Sequence, residues 1–348
     1  MMLRSPDINP FVMKFLSLIL LLIPTLLYAQ SDLLKNGDEG LRVQIFLDQE
    51  CFGPGFLDGK PGNFTRRAGY AYNRHKGRVP GDWEALIADA KAEVSDLYTV
   101  ASVPSSASKY INSKLPTSLE KVGGVKIMAY RSYLEFMAER YHTSESFLLE
   151  LNGKKVCYGL RTGSTMKVPN IEPFLIEKLA VGRSHKETPG LGNRTVVIDT
   201  ENRQLFIYDP SQKAVMPPSS SVVVIVEDEE EPLGKLVAAF PITPGQEKFI
   251  HRGTWKILNC VEFPTWRYDK QLLKTGKRGK KAVQVAHGPN NPVGVLWSGL
   301  SKSGIGIHGT SSPRTIGRSR SAGCYRLANW DAARFPEYVR PGSRVIVR

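Results

Sequence analysis

The spacing of apolar positions changes along this chain, and each change marks a different kind of element. In LRVQIFLDQECF, residues 41–52, Leu41, Ile45 and Phe46 recur at helical intervals, so a helix is predicted there. Gly53, Pro54, Gly55, Asp58 and Gly59 then break the chain, and Asn63 is placed to cap a second helix through TRRAGYAYN. DWEALIADAKAEVSDLY, residues 82–98, reads as a further amphipathic helix, and the Ser- and Pro-containing stretch 101–117 reads as a linker. From 126 to 170 the order is a short strand, SYLEFMAERYHTSESFLLELNG with two helical stretches, and LRTGSTMKVPN with a closing strand. Pro173, Gly182, Pro189, Gly190, Gly192 and Asn193 suit a connector.

Beyond Arg194 the period falls to two. TVVIDTENRQLFIYD alternates and turns at Glu201-Asn202, and VVVIVE, LVAAFPI, GTWKILNCVEF and SRVIVR continue the pattern, which predicts a mostly β domain of about 155 residues. The acidic run 227–231 sits between strand-like segments and reads as a solvated hairpin tip. The fold class expected is therefore multi-domain α+β. A helical module spans 38–98, a βααβ module 124–171 and a β-rich domain 194–348, with linkers at 99–122 and 172–193.

Size agrees with this division, because 348 residues with 41% hydrophobic content exceed the ~250 at which one core usually stops growing. Lys+Arg 47 against Asp+Glu 33 gives a formal charge of +14, which favours anionic partners. The basic residues are scattered and not interleaved with aromatics, so nucleic acid is not an expected partner. FLSLILLLIPTLLY, residues 15–28, is an apolar run preceded by Arg4 and Lys14 and followed by Ala29. It is shorter than the ~20 residues of a spanning helix and contains Pro24, so residues 1–29 read as a signal peptide. The protein is expected outside the cytoplasm, in the periplasm or cell wall, touching membrane only through that segment if it stays uncleaved. Cys51, Cys157, Cys260 and Cys324 form no C-x-x-C pair, so neither a disulfide framework nor a metal site is expected.

Chemistry concentrates in IGIHGTSSPRTIGRSRSAGCYRLANWD, residues 305–331. A cysteine beside an imidazole can ionise to the reactive thiolate, and the imidazole can return the proton to a leaving amine, so the pair suits acyl transfer. His308 follows the strand-like IGI, and Cys324 comes sixteen positions later, across a Gly-containing loop able to fold the two together. Gly323 permits a turn in which its N–H and that of Cys324 face the oxygen of a tetrahedral intermediate. Asn329 and Asp331 read as helix-start residues for NWDAARFPEYV, and His251 and His287 have no partner in the pattern.

H-G-T, a loop, I-G and then S-x-G-C-x-R-L-x-N-x-D resembles the signature of L,D-transpeptidase catalytic domains of the YkuD type. The likeness extends through FPTW, GPNNPVGVLWSGLSKSGIGIHGT and PGSRVIV, over most of residues 194–348. It implies a β-rich fold in which Cys324 attacks and His308 is the base, oriented by the Gly309 carbonyl, with Arg326 and Ser321 bearing on substrate. It implies as partners the stem peptides and glycan of peptidoglycan, and as acceptor an amine on another stem or a wall-attached protein. The reaction it implies begins with attack on the diamino-acid carbonyl of a tetrapeptide stem, releases D-alanine and passes through a thioester, without metal or organic cofactor. Water as acceptor would make the protein a carboxypeptidase or amidase instead, and a decayed site would leave a wall-binding protein. Ala322 stands where the family usually has a second histidine. The segment 38–77, with its F-x-x-G-F-L-D-G turn between helices, resembles a peptidoglycan-binding module. Residues 124–171 resemble a lysin motif through Ala138, Tyr141, Leu148, Leu151, Asn152, Gly163 and Val168-Pro169, with Arg131-Ser132 where such modules more often carry Gly-Asp.

Overall fold

The computed structural model describes residues 34–215, 233–275, 277–319 and 323–348; the apolar run 15–28, the acidic run 227–231, Ser321 and Ala322 lie outside the described residues. Helix α1, Asp38–Gln49, begins after Gly37, with Asp38 and Glu39 in its first turn, where acidic side chains favour the positive end of the helix dipole. Its apolar stripe is buried, Leu41 and Ile45 completely. Helix α2, Asn63–His75, has Gly62 at its cap position, so Asn63 is the first helical residue and gives no side-chain cap. Helix α3, Trp83–Glu93, is capped by Asp82, which accepts from the Ala85 N–H at 3.1 Å. Gly69 of α2 leaves room for the Trp83 ring, which a β-carbon there would meet at 2.5 Å.

The helix expected over 82–98 stops at Glu93, and Tyr98–Ser102 forms strand β1. Helix α4, Tyr133–Arg140, is capped by Ser132, whose Oγ accepts from Glu135 N–H at 3.0 Å, and the Glu135 carboxylate reaches back to accept from the N–H of Arg131, one residue before the cap, at 2.5 Å. Helix α5, Glu145–Tyr158, is interrupted at Gly153, where φ is 76°. Strand β2, Thr165–Pro169, then pairs antiparallel with β1, Tyr98 opposite Pro169 and Ser102 opposite Thr165. The βααβ order is thus present, but its first strand is β1 and not the segment near Lys126. The stretch read as a linker is packed, with Val103, Ala107 and Leu115 buried. Apolar anchors spaced among serines and prolines hold it down without regular structure.

The β-rich part contains strands β3 (Thr195–Asp199), β4 (Gln204–Asp209), β5 (Lys235–Pro241), β6 (Gly253–Lys256), β7 (Val261–Glu262), β8 (Trp266–Tyr268) and β9 (Val283–Val285). These are followed by β10 (Leu296–Gly299), β11 (Gly306–His308), β12 (Tyr325–Arg326) and β13 (Arg344–Val347). One sheet has the order β5-β4-β3-β13-β6, in which β13 runs parallel to β3 and the other pairings are antiparallel. A second has the order β12-β11-β10-β7, and β8 pairs with β9. Helix α6, Lys270–Thr275, follows β8, and helix α7, Asn329–Tyr338, links β12 to β13.

The modules share one core. A continuous apolar cluster runs from Leu41 through Tyr130, Leu148 and Val196 to Val345. Phe52 forms a parallel bridge to Ala239 of β5, carrying the five-stranded sheet into the N-terminal helices. Fully buried Asp48 of α1 receives His142 Nδ1 at 2.9 Å and Arg334 Nη2, from α7, at 2.8 Å. All four cysteines are thiols. Among the described residues no helix is long and apolar enough to cross a membrane, and no cluster of three or more His, Cys, Asp or Glu side chains could hold a metal ion.

Candidate active site

The second sheet carries His308 and Arg326, and Gly323 and Cys324 lie directly before its edge strand β12. Strand β11 pairs antiparallel with β10, His308 opposite Trp297, and parallel with β12, His308 opposite Arg326 and Ile307 opposite Tyr325. Cys324 immediately precedes β12, so this register carries it alongside Gly306, two residues before His308. Sixteen residues of sequence separation are thereby reduced to neighbouring strands.

His308 is buried at the centre of this sheet, and its ring stacks on that of Trp297, with centroids 5.6 Å apart and planes at 22°. Its Nδ1 lies 2.7 Å from the Gly309 carbonyl oxygen. A carbonyl can only accept, so Nδ1 carries the hydrogen and the lone pair of the neutral ring is on Nε2. Burial pushes the imidazole down to about 4; the Gly309 carbonyl opposes this, and the positive charge of Arg326 adds to it. Burial likewise raises the Cys324 thiol, opposed by a main-chain hydrogen bond from Gly306 and by the charge of Arg326. Its Sγ lies 3.7 Å from the Gly304 carbonyl. Burial thus favours the neutral form of both groups, a thiol at Cys324 and an uncharged imidazole at His308. Burial lowers the Arg326 guanidinium, while Cys324 raises it.

Gly323 has φ of 119°, a left-handed conformation open to glycine, and a β-carbon there would lie 2.9 Å from Ile305 Cδ1. Two residues beyond the sequence signature fix the same turn. Gly245 packs on it so closely that a β-carbon would meet Gly323 Cα at 2.7 Å. Thr243 exchanges main-chain hydrogen bonds with Arg326, both 3.0 Å; its Oγ1 accepts from Gly317 N–H at 2.8 Å and donates to the Thr315 carbonyl at 3.2 Å. One residue thus ties the strand after Cys324, through its main chain, to the loop between His308 and Cys324, through its side chain. The Pro244-Gly245 turn was the available signal; the Thr243 contacts span more than 70 residues and leave none.

Helix α7 begins at Asn329 with Asp331 in its first turn, as the sequence predicts, but neither side chain caps it. Ala328 occupies the cap position of α7 without a side-chain cap, and the Asn329 amide turns toward the loop after His308. Asp331 is buried, which pushes its carboxyl up to about 8. His251 is exposed, and the His287 carbonyl accepts from Met128 N–H at 2.8 Å, which ties the segment before GPNNP to the βααβ module. A cavity of about 530 Å³ lined by Phe56, Phe64, Arg203, Arg314 and Asp331 lies between the N-terminal helices and the 313–318 loop, and its lining includes neither Cys324 nor His308.

Residues 193–347 match the family model described as the L,D-transpeptidase catalytic domain, YkuD. The chain is 42% identical over 59 residues to the L,D-transpeptidase YkuD of Bacillus subtilis, covering 17% of this chain and 36% of that protein. It is also 42% identical over 78 residues to the YkuD of Bacillus licheniformis, covering 22% and 47%. The chain spans about a third to a half of the length of these curated relatives. Among solved structures it is similar to L,D-transpeptidase 3 of Mycobacterium tuberculosis in complex with a faropenem-derived adduct, at 14% identity and a TM-score of 0.31, covering 54% of this chain and 75% of that one. The likeness to L,D-transpeptidase catalytic domains of the YkuD family is thus confined to residues 193–347 of this chain.

Proposed function

We propose that this protein is an exported L,D-transpeptidase that joins peptidoglycan stem peptides through a thioester on Cys324. The observation that carries the reading is the placement of Cys324 directly before β12, the strand paired with the one that carries His308, with the Gly309 carbonyl on Nδ1 leaving Nε2 as the basic nitrogen. In the first half-reaction His308 Nε2 takes the thiol proton as Sγ attacks the carbonyl of the diamino acid in a tetrapeptide stem. The tetrahedral oxyanion faces the N–H groups of Gly323 and Cys324, donors worth roughly 3 kcal/mol each in proteases. Collapse breaks the peptide bond, and the imidazolium returns its proton to the amine of the departing D-alanine. In the second half, an amine of another stem or of a wall-attached protein loses a proton to His308 and displaces Sγ. Arg326 and Ser321 are assigned to the substrate carboxylate and its loop.

The N-terminal helices and the βααβ unit are assigned to wall binding. The antiparallel β1/β2 pair flanking α4 and α5 supports a lysin-motif-like reading of the second unit. Residues 1–29 are assigned as the export signal. Incubating the purified protein with tetrapeptide-bearing muropeptides and resolving the products by mass decides the acceptor. Cross-linked dimers are the expected outcome. Trimmed monomers would make it a carboxypeptidase, and unchanged muropeptides a binding protein.

A further inference from the structure

The peptide unit joining Gly309 to Thr310 is held from both sides. Its carbonyl accepts from His308 Nδ1 at 2.7 Å, and its N–H donates to Asn329 Oδ1 at 3.1 Å. Because a peptide is planar and its C=O and N–H point in opposite directions, the two contacts fix one orientation. Half a turn of this unit would present the Thr310 N–H to Nδ1 in place of a carbonyl. The imidazole would then carry its proton on Nε2 and have no lone pair there for the thiol.

The Asn329 amide is itself saturated. Its oxygen also accepts from Val295 N–H at 3.2 Å, and its nitrogen donates to Glu139 Oε1 at 2.9 Å and to the Pro289 carbonyl at 3.2 Å. Reversing the amide would aim its NH₂ group at two N–H donors, so its partners set its direction. Glu139, from α4, is buried and accepts from the Tyr130 hydroxyl at 2.7 Å through the same oxygen. Burial pushes its carboxyl up to about 8, so near neutral pH it is mostly a neutral acid whose carbonyl oxygen takes both bonds. Gly309 and Gly294 close around the Asn329 oxygen without space for a β-carbon.

We propose that Asn329, held in turn by Glu139, is a positioning residue that selects the His308 tautomer, so that acyl transfer depends on a side chain outside the catalytic domain. The proposal rests on the reading of His308 as the base. The chain of contacts from Glu139 through Asn329 and the Gly309–Thr310 peptide to His308 runs from α4 to the centre of β11.

The test uses the full chain with isotope-labelled histidine, recording the nitrogen resonances of His308 together with kcat, KM and the thermal midpoint. Asn329→Ala and Glu139→Ala are expected to move Nε2 from a lone-pair-bearing signal toward a tautomer average and to lower kcat about 10- to 100-fold, the usual cost of losing a group that orients a working histidine, with KM within about twofold. Glu139→Gln, which keeps the accepting carbonyl, is expected to restore both, and this comparison stands if Asn329→Ala does not fold. Unchanged histidine resonances and kcat in folded Asn329→Ala, or Glu139→Gln falling as far as Glu139→Ala, would overturn the proposal. Full turnover in His308→Gln would instead remove the base reading, which separates the two failures.

Discussion

His308 and Cys324 are set apart by what burial does to each. Desolvation disfavours the charged form of either group, so the imidazole is held at about 4 and the thiol is raised, and the resting pair is neutral. For the proposed base the sign for activity follows: it is competent when unprotonated, so lowering its pKa extends activity toward acid. The rate of Cys324 acylation should hold through the ordinary imidazole range and fall as pH drops through about 4; a stopped-flow pH profile with its half-point near 6.5 would contradict this. The sequence made these two side chains legible together with Gly309 and Gly323, because the spacing of glycines around a His and a Cys belongs to one short segment. It did not make Asn329 legible in its actual place. A helix-start asparagine looks the same in sequence whether it caps its own helix or, as here, supports a peptide 19 residues away.

Between elements, the parallel pairing of β11 with β12 does what no local signal announces. Both strands are only two or three residues long, too short for periodicity to register, and their register is set by the longer β10 and by Thr243. Replacing Thr243 with Val keeps the volume but leaves the Gly317 N–H without its acceptor, a loss of about 1–3 kcal/mol for a buried donor. Thr243→Val should therefore lower the thermal midpoint and slow Cys324 labelling by a small thiol reagent, and unchanged values for both would show that the loop is held by other contacts. Strand β1 is hidden for a different reason. Tyr98–Ser102 continues a helix-like stretch without a Gly or Pro to separate them, so the sequence reads as helix up to the residue where a strand begins. The helices α1 and α2 follow their periodicity closely, whereas β3 and β4, expected to alternate, are buried on both faces along nearly their whole length.

Across the chain as a whole, alternation of periods divides the sequence into modules, while the structure joins them through one core and a buried charge cluster. Asp48 of the first helix bonds His142 of the second module and Arg334 of the β-rich domain; the positive Arg334 and the hydrogen bonds from Arg334 and His142 hold its carboxyl well below the usual range despite burial. Interfaces of this kind depend on which side chains meet at a distance, and no single segment encodes them. Removing one partner of a buried ion pair strands the other charge at a cost of about 3–5 kcal/mol. Asp48→Ala should accordingly destabilise the catalytic domain together with the helical module, giving a single earlier unfolding transition by calorimetry; an unchanged transition for the catalytic domain would show that the modules fold separately.

The proposed thioester route requires a stem peptide to become bonded to Cys324. Intact-protein mass spectrometry of the full chain, mixed with a tetrapeptide donor in the absence of acceptor, measures this directly. The account predicts a mass increase equal to the tripeptide acyl group, mapped to the peptide containing Cys324 and absent in Cys324→Ala. An adduct that persists in Cys324→Ala, or product formed by that variant at the parent rate, would contradict it.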